Sequence, residues 1–156
     1  LSFERKPLGA ASIGQVHGAR LRDGSEVVVK VQYPEAERQF HIDVDLSIRL
    51  AQALAPHYVD ILRQLKRTFA TEFDYRREAR LQREAHERLR GVSRVAVPRP
   101  LDADHPLCRG KAAPLDRGLV TKRVFAMERL RGRPIDQWAA DHVRDLSLRE
   151  GCSSVE

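Results

Sequence analysis

Two short stretches decide the fold of this chain: Gly9–Val16, which reads GAASIGQV, and Val27–Lys30, which reads VVVK. The first consists mainly of small residues, which let a backbone approach another group closely because no bulky side chain intervenes. The second has the β-branched residues of a strand and ends in a charge. Asp23 and Gly24, between the two stretches, are typical of a hairpin turn. This order predicts a tight loop, a strand, a hairpin and a second strand that ends in a lysine.

The composition fits one soluble globular domain, since 42% of the 156 residues are hydrophobic and 32% are charged. No apolar run approaches the ~20 residues that a membrane-spanning helix needs. The chain starts without Met and without a signal-peptide layout, so we expect a piece of a longer protein whose targeting segment lies elsewhere. Cys108 and Cys152 are too few for a disulfide framework or a metal site, and we predict no metal ligands in this chain.

The formal charge of +6 comes mostly from arginine. It fits an anionic partner, such as a nucleotide phosphate, a nucleic acid or a lipid surface, and it fits codon bias equally well. A nucleic-acid binder is disfavoured, because only 6% of the residues are aromatic and these lie on apolar stripes.

Hydrophobic periodicity and turn residues divide the rest of the chain. We predict strands at 13–21, 26–31 and 120–130 with a short one at 92–100, helices at 35–55, 59–90 and 135–148, a loop or insertion at 102–118, and a disordered tail at 151–156. Strands, then helices, then strands is an α+β layout. We therefore expect a short twisted antiparallel sheet flanked by two helices.

The loop and the lysine fit the pattern of protein kinases, in which G-x-G-x-x-G-x-V precedes a strand that ends V-A-I-K. Gly9, Ala11 and Gly14 fill the three small positions, and Val16 is the valine. Backbone N–H groups in such a loop reach a phosphate, and Lys30 supplies a cation. A buried lysine also needs an acidic partner. Taken singly, the loop fits a plain tight turn and the lysine an edge-strand charge, but their order and spacing favour a nucleotide site.

Four stretches together resemble the UbiB-type atypical kinases, which are tied to coenzyme Q biosynthesis and to lipid metabolism in mitochondria and plastids: Pro7–His17, Val28–Pro34, Glu72–Ala79 and Val124–Gly132. They match that family's Ala-rich loop, lysine strand, E-x-D motif and hinge. Gly9 departs from the pattern, since many members carry alanine there, and the 102–118 insertion is not a core family feature. The resemblance implies the small lobe and hinge of a kinase-like fold over 1–137, with 138–156 as the start of a large-lobe helix and a tail.

The resemblance also implies the site residues. Catalytic roles fall to Lys30, Glu78, Glu72 and Asp74, and nucleotide contacts to Gly9, Ala10, Ala11, Ser12, Ile13, Gly14, Val16, Lys30, Met127, Glu128 and Leu130. Glu78 would pair with Lys30, whereas Glu72 and Asp74 would meet a K-x-G-Q helix that this sequence lacks. On one continuous helix, residues six apart lie about 120° around the axis, so we expect one of Glu72 and Glu78 to point to the lysine strand and the other elsewhere. Alternatively, all three acids are solvated partners of nearby arginines.

The sequence lacks the second half of a kinase site, because it contains no D-F-G and no asparagine. His142–Asp145 follows the hinge too early for a catalytic loop and is predicted to be helical. The resemblance implies the nucleotide-binding half of an atypical kinase or ATPase that uses ATP or ADP with Mg²⁺, the metal ligands lying outside this chain. It further implies membrane association in a mitochondrion or chloroplast, with lipid or quinone-pathway partners. The alternative is a truncated, inactive binding module.

Overall fold

The computed structural model describes residues 2–110, 117–133 and 135–150. Within these ranges the strands are β1 Ser2–Phe3, β2 Gly9–Ala11, β3 Gly14–Arg20, β4 Glu26–Gln32 and β5 Val124–Glu128. The α-helices are α1 Ala36–Leu54, α2 Val59–Ala70, α3 Tyr75–Leu89 and α4 Ile135–Glu150. The predicted α+β class, an antiparallel sheet with flanking helices, is confirmed.

The sheet runs in the order β1-β3-β4-β5, and β2 also pairs with β3. Val16 on β3 lies opposite Lys30 on β4, which lies opposite Phe125 on β5. Side chains at directly opposed positions project from the same side of a sheet. We call this side the cleft face. Val28 and Met127 are a second opposed pair, and each lies two residues from Lys30 or Phe125 on its own strand, so they share the cleft face.

Both predicted turns form where the small residues stand. Gly24 has φ +86° in the hairpin between β3 and β4, where a side chain would be strained. Ser12 and Ile13 form the turn between β2 and β3, which we call the 12–13 turn. The Tyr33 N–H donates to the Ile13 carbonyl at 2.9 Å, so this turn is tied to the end of β4.

The single helix predicted over 59–90 is wrong, because the chain breaks into two helices there. A 3₁₀ turn occupies Thr71–Phe73, and Asp74 is extended with φ −118° and ψ 93°. The Asp74 carboxylate accepts a hydrogen bond from the Arg76 N–H at 3.0 Å and so caps the first turn of α3. Phe73, only 2% exposed, is buried at the break. The sequence did not predict this break, because the apolar periodicity continues through it.

The strand predicted over 92–100 is also wrong. Within that segment the structure shows one isolated bridge, between Pro100 and Met127. Side chains of α3 satisfy the preceding carbonyls instead: Gln82 donates to the Pro98 oxygen at 2.8 Å, and the His86 ring bonds the Val97 oxygen at 2.7 Å. The segment is therefore held to the helix rather than to the sheet.

Two apolar clusters cover the two sides of the sheet. The cleft face carries Tyr75, Ala79 and Phe125. The other side carries Ala19, Leu21, Val27, Leu101, Cys108 and Ala126. Cys108 comes from the predicted 102–118 loop, whose described residues form turns and isolated bridges. This loop therefore contributes to the core.

The helix predicted over 135–148 is confirmed as α4 and extends to Glu150. The predicted tail at 151–156 lies outside the described residues. No helix in the described part of the chain is long and apolar enough to cross a membrane. The same residues contain no group of three or more His, Cys, Asp or Glu side chains placed to hold a metal ion.

Candidate functional site

Lys30 forms an ion pair with Glu78, as expected from the sequence. Its Nζ donates to both carboxylate oxygens of Glu78, at 2.7 and 2.8 Å. Lys30 is on β4 and Glu78 is in the first turn of α3, so the pair joins the sheet to the helix. The lysine side chain is 18% exposed and the glutamate side chain 40%. The ammonium therefore lies at the edge of a cavity and not in a sealed core.

Tyr75 lies beside Lys30, on the cleft face. The lysine Nζ is 4.7 Å from the centre of the tyrosine ring, within the range of a cation–π contact. Tyr75 is 0% exposed and packs near Phe125. Burial, reinforced by the nearby Glu78 carboxylate, raises the pKa of Tyr75 to about 12. Sequence reasoning gave Tyr75 no role, although it directly follows the E-F-D triplet and is the first residue of α3.

Two cavities meet at Lys30. The larger, about 350 Å³, is lined by Lys30, Glu72, Glu78, by Ala11 and the two residues of the 12–13 turn, and by Thr68 and Phe69 of α2. The smaller, about 190 Å³, also contains Lys30, Glu72 and Glu78 in its lining. Glu72 thus shares both cavities with Lys30, but the Lys30 ammonium bonds Glu78 and not Glu72. The 3₁₀ turn before α3 breaks the helix, so the calculated 120° separation does not apply.

Asp74 lines the smaller cavity, but its carboxylate is already engaged. Both oxygens accept hydrogen bonds at 2.8 Å, one from Nε and the other from Nη2 of Arg76. This side-chain hydrogen bonding is the main reason that the pKa of Asp74 is lowered. The alternative interpretation of Asp74, a solvated partner of a nearby arginine, therefore describes its contacts in this structure.

The small-residue loop contributes to the site through its turn. Gly9, Ala10 and Ala11 are strand residues paired with β3, and of these three Ala11 lines the larger cavity. Gly14 packs against backbone, since a Cβ atom there would lie 2.3 Å from the Val31 carbonyl oxygen. The structure thus brings Ala11, Ser12 and Ile13 to Lys30. Their contact with a nucleotide stays a prediction.

The predicted hinge residues point in different directions. Met127 lies on the cleft face opposite Val28. The Glu128 carboxylate instead accepts from the Arg99 N–H at 3.0 Å and contacts His105 Nε2 at 3.2 Å. Burial opposes ionisation of Glu128, but these two hydrogen bonds outweigh it and lower the pKa of the carboxyl.

Leu130 is 47% exposed. A role for the Glu128 side chain in holding the segment around Arg99 and His105 was not found from the sequence, because the loop that supplies His105 has no recognisable pattern. The nucleotide contacts predicted for Met127, Glu128 and Leu130 are not tested by this geometry.

Residues 1–103 match the ABC1 atypical kinase-like domain. The chain belongs to this family. The resemblance to UbiB-type atypical kinases is thereby confirmed.

Curated relatives of this family member include two proteins named atypical kinase COQ8B, mitochondrial. The Danio rerio protein is 33% identical over 87% of this chain, and the Rattus norvegicus protein is 36% identical over 87%. This chain covers 20% and 24% of their lengths, respectively. Among solved structures, the Rv3197–erythromycin complex from Mycobacterium tuberculosis matches with a TM-score of 0.62 and 30% identity, over 87% of this chain and 32% of that one. The fold is that of a kinase-like small lobe.

Proposed function

We propose that this chain is the nucleotide-binding half of a UbiB-like atypical kinase or ATPase. The observation that carries the proposal is the Lys30–Glu78 ion pair, which lies at a cavity that Ala11, Ser12 and Ile13 also line. A lysine held by a glutamate beside a loop rich in small residues is the arrangement that phosphoryl-transfer sites use to hold a phosphate chain. The match of residues 1–103 to the ABC1 atypical kinase-like domain supports the same role.

Each part of the site has a distinct task in this proposal. Glu78 fixes the Lys30 ammonium so that the cation neutralises the α and β phosphates of ATP or ADP. N–H groups of the 12–13 turn approach the phosphates without side chains in the way. Val16, Val28 and Met127 offer apolar surface on the same face for the base. Mg²⁺ would neutralise charge on the phosphates, and its protein ligands belong to the half of the site that this sequence lacks.

The names of three relatives support a proposal for the setting of the parent protein. Three of them are named as mitochondrial. We infer that the parent protein acts in coenzyme Q or organelle lipid metabolism, in a mitochondrion or chloroplast, with membrane association and quinone-pathway proteins or lipids as partners. The phosphoryl acceptor is water, a lipid, a small molecule or a protein.

An inactive binding module is the second candidate. In this alternative the chain would hold a nucleotide without cleaving it, because the sequence contains neither a D-F-G nor an asparagine. In that case the ligand would serve to order the lobe, by mass action on the folded state.

Titration of the isolated chain with ATP and Mg²⁺, followed by amide NMR shifts, tests the proposal. We expect weak binding, since half of the cleft is missing, and loss of binding in Lys30→Met. Lys122→Met is the matched control, because Lys122 pairs with Glu37 at 2.7 Å on the surface instead. Binding that survives in Lys30→Met would refute the site. Phosphate release should stay at background. Turnover of ATP that survives Lys30→Ala would refute both the kinase-like interpretation of the fold and the proposed nucleotide site.

A further inference from the structure

The Tyr75 hydroxyl has no hydrogen-bond partner. Among the side chains that the structure describes, it is the one buried polar atom in this state. The side chain is 0% exposed, so solvent does not reach the hydroxyl either. An unpaired buried hydroxyl is unfavourable, because it has given up its hydrogen bonds to water. A phenylalanine would fill nearly the same volume without that loss.

The position of the hydroxyl connects it to the proposed phosphate site. Its ring contacts the Lys30 ammonium, 4.7 Å from the ring centre. The hydroxyl itself lies under Gly14, 2.9 Å from where a Cβ atom on that glycine would be. Gly14 directly follows the 12–13 turn. The hydroxyl therefore lies between the two features to which the proposed function assigns the phosphates.

We propose that the Tyr75 hydroxyl donates a hydrogen bond to a phosphate oxygen of the bound nucleotide, and that the 12–13 turn moves aside to admit it. This inference rests on the proposed function. Phosphate oxygens are strong charged acceptors, and hydrogen bonds to them are stronger than those between neutral groups. Because the pKa of Tyr75 is about 12, the hydroxyl keeps its proton at neutral pH and remains a donor.

The 12–13 turn lies outside the strand pairing, whereas Gly14 is fixed in the sheet between β2 and β4. Ser12 is exposed and Ile13 is only partly buried. The turn makes one backbone hydrogen bond to the end of β4, from the Tyr33 N–H to the Ile13 oxygen. Movement of the turn would separate Ile13 from the apolar cluster of Tyr75, Ala79 and Phe125, against which it packs. A shift of the turn would open a path from the 350 Å³ cavity to the hydroxyl.

Substitution Tyr75→Phe tests the inference, with ATP, inorganic tripolyphosphate and adenosine as probes. We expect the affinity for ATP and for tripolyphosphate to fall about tenfold or more, as for loss of a hydrogen bond to a charged group. Adenosine, which has no phosphate, should bind as it does to the original chain. The thermal midpoint should be unchanged or higher, because Phe removes an unpaired hydroxyl. Tyr58→Phe, at a residue 53% exposed, is the matched control and should change none of these values.

The outcomes separate this inference from the proposed function. Loss of binding in Lys30→Met with unchanged tripolyphosphate affinity in Tyr75→Phe would overturn the inference and leave the proposed function standing. A lower thermal midpoint with unchanged affinity would also overturn it, since the hydroxyl would then be bonded to an internal water. Failure of the original chain to bind either ATP or tripolyphosphate would overturn both. The Ile13 amide should shift when tripolyphosphate is added, and a fixed Ile13 signal at saturation would contradict the movement.

Discussion

The ion pair between Lys30 and Glu78 is buried on one side and open to solvent on the other. Because 40% of the glutamate side chain is exposed, water screens the attraction, and the pair is weaker than a fully buried one. We expect Glu78→Ala to lower the free energy of unfolding by about 1 kcal/mol. Lys30 would retain its contact with the Tyr75 ring. Urea denaturation followed by circular dichroism measures this loss.

Glu72→Ala is the control for this prediction. Glu72 lines the same two cavities, but it makes no ion pair with any of the residues described. Its removal should change the free energy of unfolding by less than about 0.5 kcal/mol, as for most exposed positions. Equal losses in the two variants would mean that the cavity as a whole, and not the Lys30–Glu78 contact, contributes the stability.

Gly9 starts β2 and Gly14 starts β3, and only Gly14 is tightly packed. A Cβ atom at Gly14 would lie 2.3 Å from the Val31 carbonyl oxygen, and a backbone atom in a sheet cannot readily give way. At Gly9 a Cβ atom would meet nothing within 4 Å. We expect Gly14→Ala to lower the free energy of unfolding by about 2 kcal/mol or more, as overpacking does. Gly9→Ala should leave it unchanged or raise it by about 0.5 kcal/mol, because alanine restricts the unfolded chain.

Chemical denaturation of the two variants side by side checks this difference. A Gly14→Ala variant as stable as the original chain would show that β3 and β4 separate easily at this point. In that case the close contact between Gly14 and β4 would contribute little to the fold.

The start of α3 depends on Asp74. Asparagine caps a helix about as well as aspartate, so Asp74→Asn removes the charge and keeps the cap, whereas Asp74→Ala removes both. We expect Asp74→Ala to cost about 1 kcal/mol and Asp74→Asn less. Because folding lowers the pKa of Asp74, the charge stabilises the fold above its ordinary pKa of about 3.9, and this contribution is lost as the pH falls through the lower folded value.

Thermal unfolding between pH 3 and pH 7 tests the charge contribution. The difference between the original chain and Asp74→Asn should be largest at neutral pH and should shrink towards pH 3. A difference that stays constant over this range would mean that Arg76 does not interact with the Asp74 carboxylate in solution.

Local patterns predicted the elements whose determinants are adjacent in sequence. The Asp23–Gly24 hairpin, the 12–13 turn and helix α1 all form as expected. The Lys30–Glu78 contact was predictable because the family resemblance supplied its long-range partner. The break before α3 was not, since the apolar stripe continues through it and the burial of Phe73 depends on distant residues.

The position of the Glu128 side chain was equally hidden in the sequence. One partner, His105, comes from a loop, and the other, Arg99, lies in the segment before it, whose backbone is satisfied by Gln82 and His86. Side-chain partners of irregular segments follow no periodicity, so no pattern in the sequence predicts them. Periodicity therefore predicted strands β3, β4 and β5 but not the contacts of the Glu128 side chain.

At the scale of the whole molecule, the sheet and α1–α3 differ from α4 in the burial of their side chains. Both sides of the sheet carry buried clusters, and α3 packs on β5. In α4, by contrast, every described side chain from 135 to 143 is exposed, including Ile135 at 80% and Val143 at 62%. An isolated helix of this length is marginal in water without tertiary packing. This supports our proposal that the small lobe ends near residue 137 and that α4 belongs to the large lobe.

Trp138, the single tryptophan, provides a direct test of this division. It is 48% exposed and stacks on His142 within the same helix, with ring centres 5.0 Å apart. Its fluorescence should therefore report on α4 alone and should show no cooperative change at the urea concentration where circular dichroism shows the lobe unfolding. A chain ending at residue 133 should unfold within about 0.5 kcal/mol of the original, since removal of exposed side chains costs little. Coincident transitions, or a large loss on truncation, would mean that α4 packs on the lobe in solution and that the proposed boundary is misplaced.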